Sequence, residues 1–510
     1  MKVNPLYYID YLLDRVTMYR LVLYVLLGFI VILSFSSFLS LIPYSFVTIY
    51  LSTAFLIGVC WIANTIFSLV WDVPANTESF LITALILVLI ISPAKTVNEF
   101  IFLAWAGILS QASKYLLAWN RKHFFNPAAI AVVITAVTLG ESASWWVGTA
   151  SMVPFVMLGG FLIMRKLHFE DLVFSFVFVS TILTLSLSVI RGSDVMTSVI
   201  QLVTRSPLFF FAGIMLTEPL TLPPTKSLQA LYGGLVGVLF LPQIHLGTVY
   251  STPELALVVG NIFSYIVSPK EKLLVTLREK IHVAPDIVDF VFALPKKYAF
   301  TPGQYMEWTL PHDAVDSRGN RRFFTIASSP TEDTMRLGVK FYDNGSSYKK
   351  AMALITNETK LLAGSLSGSF TLPKDKMKKL VFISGGIGVT PFRSMIKYLV
   401  DMNEKRDIVH FFANKFPEDV VYKEVFDTAE STLGIRTIYT ITDTQKQYEL
   451  WSGHIGRVDG AMIQTEVPDF KERTFYLSGP HGMVTGYVAV LKGMGVTASH
   501  IVTDFFPGLV

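Results

Sequence analysis

Apolar and polar positions follow two different rhythms along this chain. Up to about residue 265 the text consists of long apolar runs broken by short polar stretches. A membrane-crossing helix needs about 20 mostly apolar residues. On that measure the runs predict ten spans, near 21–41, 45–70, 79–93, 99–117, 126–139, 146–164, 171–190, 196–216, 229–242 and 252–267. The eighth contains Arg205-Ser206-Pro207 and is expected to be broken. At Ser268-Pro269-Lys270-Glu271-Lys272 the rhythm changes. Short alternating runs follow: LLVTLREKIHV (273–283), IVDFVFALP (287–295), YMEWTLP (305–311), RRFFTIAS (321–328) and MRLGVKFY (335–342). Strands of this length, punctuated by Gly, Pro and Asp, predict an antiparallel β-barrel. From about residue 376, continuous apolar strands alternate with amphipathic helices. The expected architecture is a polytopic α-helical membrane bundle (1–268), an antiparallel β-barrel (269–375) and an α/β domain (376–510).

Composition narrows this picture. A mean hydropathy of +0.51 with 52% hydrophobic residues is too apolar for a soluble protein. The net charge of +4 comes without a basic stripe, so no nucleic-acid partner is expected. The single cysteine, Cys60, excludes an intrachain disulfide and cannot supply the four ligands of an iron–sulfur cluster. It reads as a small buried hydrophobe. His123, His168 and His245 stand at span ends, not stacked within helices, which argues against a haem-carrying bundle. No metal site is expected. The first span follows twenty polar or amphipathic residues and lacks a small-residue cleavage site, unlike a signal peptide. Placing Lys2, Arg15 and Arg20 inside also places Lys114, Arg121, Lys122, Arg165, Lys166, Lys226 and the 270–272 linker there, with Arg191 the exception. The expected location is the cell membrane, multi-pass, with both termini and the C-terminal half in the cytoplasm.

Two stretches of the second half carry candidate chemistry. In RFFT (322–325) the two-residue period puts Arg322 and Phe324 on one face and Thr325 on the other. Such a strand also reads as ordinary core and rim. The TPGQY turn (301–305) before it and a glycine-rich turn after it favour a binding role. In LVFISGGIGVTPFRSMIKYLV (380–400), a buried strand enters a helix through a glycine turn. Thr390 is placed to cap the helix and Pro391 to occupy its first position. A helix N-terminus approached by glycines suits a pyrophosphate, although the turn also reads as a plain strand-to-helix connection.

Read in order, RRFFTIASSP (321–330), SGGIGVTPFRSM (384–395) and YLSGPHGM (476–483) resemble the flavin site, nucleotide site and hydride-transfer wall of ferredoxin–NADP reductase-type oxidoreductases. The resemblance implies an FAD cofactor and NADH or NADPH as donor. Arg322 then pairs with the FAD pyrophosphate, Phe324 stacks on the isoalloxazine beside Phe323, and Thr325 bonds near flavin N5. Phe324 replaces the usual tyrosine. Gly338, Val339 and Lys340, followed by Asn344, Gly345, Ser346 and Ser347, supply further flavin and phosphate contacts. LSGSF (366–370) resembles the family's later turn. Gly385, Gly386, Gly388, Val389, Thr390 and Pro391 receive the nucleotide, and Asn414 and Lys415 decide between NADH and NADPH, with NADH favoured. Ser478, Gly479 and Pro480 stand at the nicotinamide, Ser478 replacing a common cysteine. Phe505 and Phe506 lie near the flavin, with Asp504 as the acidic counterpart. Thr325, Ser478 and Phe505 are the implied catalytic residues.

The first half has its own signature. HFFNPAAI (123–130), FFFAGIMLTEPLTLPPTK (209–226) and the entry IDYLLDRVTMYR (9–20) resemble the B subunit of the sodium-pumping NADH:quinone reductase and the D subunit of the Rnf complex. Asn126, Pro127, Thr217, Glu218 and Pro219 are its candidate site residues. Asn126-Pro127 also reads as a helix start and Glu218 as a loop carboxylate. DVPANTESFLITALILVLIISP (72–93) resembles the region around 217–219, as in an internal repeat. The family implies a covalent flavin on an S-G-A-T threonine, but that motif is absent and the loop at 140–146 is short. A non-covalent flavin (FMN or riboflavin), a quinone or an empty scaffold remain open. The expected function is electron transfer from NAD(P)H through FAD to a membrane acceptor, a quinone or bundle flavin, and onward across the membrane, with ion transport as a weaker addition. The alternatives are a membrane-anchored flavin reductase serving a separate protein and a transporter with a redox-sensing domain.

Overall fold

The structure is a computed structural model that describes all residues except 1–8, 11, 14–15, 72–76, 120–121, 269–271, 314, 317–319, 344, 358, 446–447, 449 and 505–510. The chain divides into two compact units, Met1–Glu271 and Lys272–Val510.

The first unit is helical: α1 (Met18–Phe38), α2 (Phe46–Val70), α3 (Thr77–Ile90), α4 (Val97–Leu116), α5 (Pro127–Leu139), α6 (Val153–Leu167), α7 (Glu170–Ile190), α8 (Val195–Thr204), α9 (Lys226–Leu239) and α10 (Pro253–Val267). Among the described residues, α1, α2 and α7 are by length and composition the helices long and apolar enough to cross a membrane. A fourth span arises if α8 and Leu208–Met215, bent by 54°, count as one. The ten spans expected from hydropathy are therefore corrected to three or four. Apolar runs such as α5, at 13 residues, extend only about 20 Å at 1.5 Å per residue, short of the ~30 Å hydrocarbon core. The break at 205–207 is present, as expected.

Elements recur in order within this unit. α2 to α5 and α7 to α10 each contain a long helix, a short or broken apolar segment, and a proline-containing connection at Pro93 or Pro219. Then come a helix capped by Thr96 or Thr225, a tiny hairpin, and a helix with proline in its first turn. The hairpins share a register, Ala118↔His123 and His245↔Tyr250. This recurrence agrees with the repeat read from 72–93 and 217–219, although 72–76 lie outside the described residues. Close packing uses glycine: a Cβ on Gly213 would lie 2.5 Å from Gly160 Cα. Small residues at helix crossings permit such backbone approach. Cys60 is fully buried beside Gly107.

The second unit begins with β1 (Leu273–Ala284), β2 (Ile287–Ala293), β3 (Tyr305–Thr309), β4 (Arg321–Thr325), β5 (Thr334–Lys340), α11 (Ser347–Leu354) and β6 (Lys360–Ser367). The strands form one antiparallel sheet in the order β4-β3-β6-β1-β2-β5. Its core includes Phe290, Phe292, Met306, Trp308 and Leu337. The expected barrel is an open sheet, because among the described residues no ladder joins the edge strands β4 and β5. Beyond Thr325 the chain turns through Ser328-Ser329-Pro330. The Ser329 amide goes to Glu332 at 2.6 Å, and Pro330 has no amide hydrogen to give. Ala327 N–H donating to Arg336 O at 2.8 Å still ties the two edges.

The remainder comprises β7 (Leu380–Gly385), α12 (Thr390–Asp401), β8 (Ile408–Asn414), α13 (Lys423–Leu433), β9 (Arg436–Ile441), β10 (His454–Ile455), β11 (Thr474–Ser478), α14 (His481–Gly493) and β12 (Ile501–Asp504). They build a parallel sheet ordered β10-β9-β8-β7-β11-β12. Every residue of β7 and β8 is buried, as expected where helices cover both faces. Alternate residues serve opposite cores: Phe382 and Phe412 on one side, Ile383 and Phe411 on the other. The strand order reverses between β7 and β11, and a crevice at the carboxyl ends of such a switch point is where doubly wound sheets take ligands.

Candidate functional site

Both strands at the switch point end in glycine turns, and the turns interlock. A Cβ on Gly388 would lie 2.5 Å from Gly479 Cα and 2.6 Å from Ser478 O. One on Gly385 would collide with Met483 Sδ. Gly386 has φ +52° with open space around its Cβ position, so its backbone conformation, not crowding, asks for glycine. The segment Gly386–Val389 is a tight helical turn leading directly into α12. Thr390 therefore does not cap that helix. It is the first helical residue and donates its hydroxyl to Ile387 O at 3.1 Å, with Pro391 next and Val389 buried. Because the glycine turn is itself helical, no separate cap is required.

On the flavin-type strand the period-2 reading places side chains as expected. Arg322 lies over the Tyr348 ring at 5.1 Å, and Phe324 meets the same ring at 6.0 Å. Phe323 is exposed on the other face and packs edge-on against Tyr305 at 5.7 Å. Thr325 pairs with Tyr305 across β4 and β3, while Ser478 pairs with Asp504 across β11 and β12. Burial and then the Asp504 carboxylate push the Tyr305 phenol up to about 12. Tyr305 thus links the two pairs. Burial pushes the Asp504 carboxyl up to about 7.

Thr325 Oγ1, Ser478 Oγ, Asp504 Oδ2 and both amide atoms of Asn414 are buried without a hydrogen-bond partner among the described residues. Unsatisfied buried polar atoms cost about 1–3 kcal/mol each. Four such side chains at strand ends are a donor and acceptor set that fits flavin and nucleotide edges. Asn414 ends β8, and Lys415 Nζ lies over the Phe416 ring at 4.8 Å. Pro480 precedes α14 and accepts Met483 N–H at 2.9 Å.

Other expected contacts are occupied differently. Val339 is part of the sheet core, Lys340 pairs with Asp419 at 3.6 Å, and a Cβ on Gly338 would meet Tyr422 Oη at 2.5 Å. Gly338 and Lys340 thus face the nucleotide lobe, while Val339 faces the core of its own sheet. The strand alternation that aims Arg322 outward turns Val339 inward. Gly345 N–H donates to Tyr342 O, Ser346 caps α11 through Lys349 N–H, and Ser347 Oγ accepts the Asp316 amide at 2.9 Å. Asp316 Oδ1 lies 3.7 Å from Arg322. Phe505, Phe506 and Asn344 lie outside the described residues.

In the first unit, Asn126 caps α5 by accepting Ala129 N–H at 3.0 Å, and its own amide donates to Asn261 Oδ1 at 2.8 Å. Pro127 opens that helix. Thr217 donates to Gly213 O at 2.9 Å, Pro219 starts a short turn, and Glu218 lies 3.8 Å from His123. The two signature segments therefore meet. Sequence reading missed Tyr232 and Asn261, bonded to each other at 3.0 Å nearby. Their spacing inside apolar runs carries no signal.

The oxidoreductase NAD-binding domain family matches residues 382–489. That match lies in the second unit, which is similar in sequence to reductases that include a monooxygenase reductase subunit and an NADH-cytochrome b5 reductase. The chain is 25% identical over 224 residues to the glycine betaine monooxygenase reductase subunit of Pseudomonas aeruginosa, covering 43% of this chain and 60% of that one. It is 26% identical over 259 residues to NADH-cytochrome b5 reductase 1 of Ajellomyces capsulatus, covering 48% and 82%. Among solved structures, the Amycolatopsis cytochrome P450 reductase GcoB has 21% identity and a TM-score of 0.42, covering 47% of this chain and 71% of that one. The chain thus spans about three fifths of the first reductase it matches.

Proposed function

We propose that this protein oxidises NAD(P)H, NADH being the favoured donor, at an FAD held by the second unit. The observation that carries this reading is the set of buried, unpartnered polar atoms on Thr325, Ser478, Asn414 and Asp504. Bound FAD supplies hydride acceptance and release of single electrons. The residues do the rest. Arg322 offers its guanidinium to the pyrophosphate, Phe324 a ring face, and Thr325 Oγ1 a hydroxyl to the reactive edge. The Gly386–Val389 turn and the α12 N-terminus receive the nucleotide phosphates. Ser478 Oγ borders the nicotinamide, and Asp504 Oδ2 holds a proton on the flavin side. Two electrons and one proton leave the dihydronicotinamide together as hydride, so the nucleotide departs oxidised.

The electrons then pass to an acceptor associated with the first unit, a quinone or a second flavin, in a multi-pass cell-membrane protein with the reductase half in the cytoplasm. The three candidate spans and the meeting of His123 with Glu218 support this reading. A second reading is delivery to a separate protein. It is favoured by the similarity to a monooxygenase reductase and by the small number of full-length apolar helices.

An absorption spectrum of the purified full chain with flavin extraction tests both. Two flavins per chain, bleached by NADH and reoxidised by quinone, support transfer into the membrane unit. One NADH-reducible FAD without quinone turnover supports a protein acceptor. A chain that binds no flavin overturns the proposal.

A further inference from the structure

Asp289, on β2, lies directly opposite Gly338 on β5, and its side chain is completely buried. One carboxylate oxygen accepts Arg336 Nη1–H at 2.9 Å. The other accepts the phenol of Tyr422, from the parallel-sheet lobe, at 2.5 Å. Gly338 makes the notch for that phenol: a Cβ there would stand 2.5 Å from Tyr422 Oη.

Tyr422 reaches this notch at a conformational cost. It stands at the start of α13 with φ +58° and ψ 25°, a left-handed backbone that bulky L-residues avoid. Strain of this kind persists only where surrounding contacts over-determine it, and it concentrates at functional positions. The contacts are dense. Arg393 stacks on the Tyr422 ring at 5.5 Å. It also bonds Ala327 O at 2.8 Å and Glu332 at 2.6 and 3.0 Å. Ser394 adds a bond to Ser328 O at 2.7 Å.

The position of this cluster gives it a role beyond adhesion. The same Cβ position on Gly338 would also lie 3.0 Å from Ile387 and 3.0 Å from Thr390. Those residues belong to the glycine turn and the first turn of α12, the proposed nucleotide seat. Whatever moves the phenol moves that seat relative to the flavin strands.

We propose that Tyr422 is a positioning residue for the hydride step, its phenol on Asp289 setting how the nucleotide lobe meets the flavin sheet. This rests on the reductase reading above. It assigns no contact with either cofactor to Tyr422. Reacting atoms must meet within a narrow range, and a misplacement of about 1 Å can cost ~100-fold in rate.

The test uses the full chain, loaded with FAD and mixed with NADH in a stopped-flow spectrophotometer. Tyr422→Phe keeps the ring over Arg393 and removes only the hydroxyl. FAD content and the NADH concentration for half-saturation should stay within about twofold, while the limiting bleaching rate falls roughly 10- to 100-fold. The long-wavelength nicotinamide–flavin charge-transfer absorbance should weaken in parallel. Gly338→Ala crowds the same notch with Tyr422 intact, and should reproduce the split if Tyr422→Phe fails to retain FAD. A wild-type limiting rate in either flavin-loaded variant overturns the positioning role. If the wild-type flavin is itself not bleached by NADH, the reductase reading fails instead.

Discussion

The Cα of Gly479 lies where a methyl group on Gly388 would need to be, 2.5 Å from that Cβ position. The turns after β7 and β11 are thus held in backbone-to-backbone contact at the switch point. Gly388→Ala should separate them. Overpacking of this type costs about 1–3 kcal/mol, so thermal denaturation should shift downward by several degrees. NADH-dependent bleaching should be lost even where folded protein remains, which stopped-flow absorbance on the same sample would show.

Arg322 should matter for FAD retention more than for stability. A hydrogen bond to a charged group contributes about 1.5–3 kcal/mol, so Arg322→Ala should weaken FAD binding roughly 10- to 100-fold. Flavin fluorescence quenching during titration of apoprotein would measure it. Gly386→Val should instead leave FAD bound and abolish its reduction by nucleotide, since a β-branched residue resists φ +52°. Unchanged bleaching in both variants would remove this site assignment.

Asp504 predicts a pH dependence. Its carboxyl is pushed up to about 7 by burial, so it is protonated below that and ionised above. A negative charge beside a group that accepts hydride opposes the transfer, and the bleaching rate should fall as pH rises through about 7. Asp504→Asn should be flat over that window, at the level of the low-pH limb. The same raised value means the folded state binds the extra proton between the usual aspartate range and about 7. Stability from this group therefore declines as pH rises across that interval. A wild-type rate profile without an inflection near 7 would contradict the assignment.

The Arg393–Glu332 pair should behave as a buried ion pair. Burial pushes Glu332 up, but the bonds from Arg393 outweigh it and hold the carboxyl below the usual glutamate range. Its contribution is present above that range and fades as pH drops below it. Removing one member strands the other, a loss of about 3–5 kcal/mol. Glu332→Ala should therefore lower the urea midpoint markedly, and Glu332→Gln, which keeps an acceptor, less so.

Legibility in the sequence followed the range of the interaction. Arg322 and Phe324 were readable because strand alternation is local, and both indeed share the Tyr348 ring. The glycine turn was readable for the same reason. Thr390 resembles a cap in sequence but is not one, because the preceding four residues are already helical. Hydropathy located the apolar runs of the first unit, but not how few turns α3, α5 and α10 would make, since buried short helices and spans have the same composition. Asp289 and Tyr422 were silent, because neither shows its partner in its own neighbourhood.

Those two residues are 133 positions apart, and this separation bears on how the protein is made. During synthesis β2 and β5 leave the ribosome long before Tyr422 does. Until then Asp289 has Arg336 for company but nothing in the Gly338 notch, and the side of the flavin lobe that will carry the nucleotide lobe stays wet. A nascent chain halted before residue 422 would therefore be a target for chaperones and proteases, even with every strand of the first sheet already made.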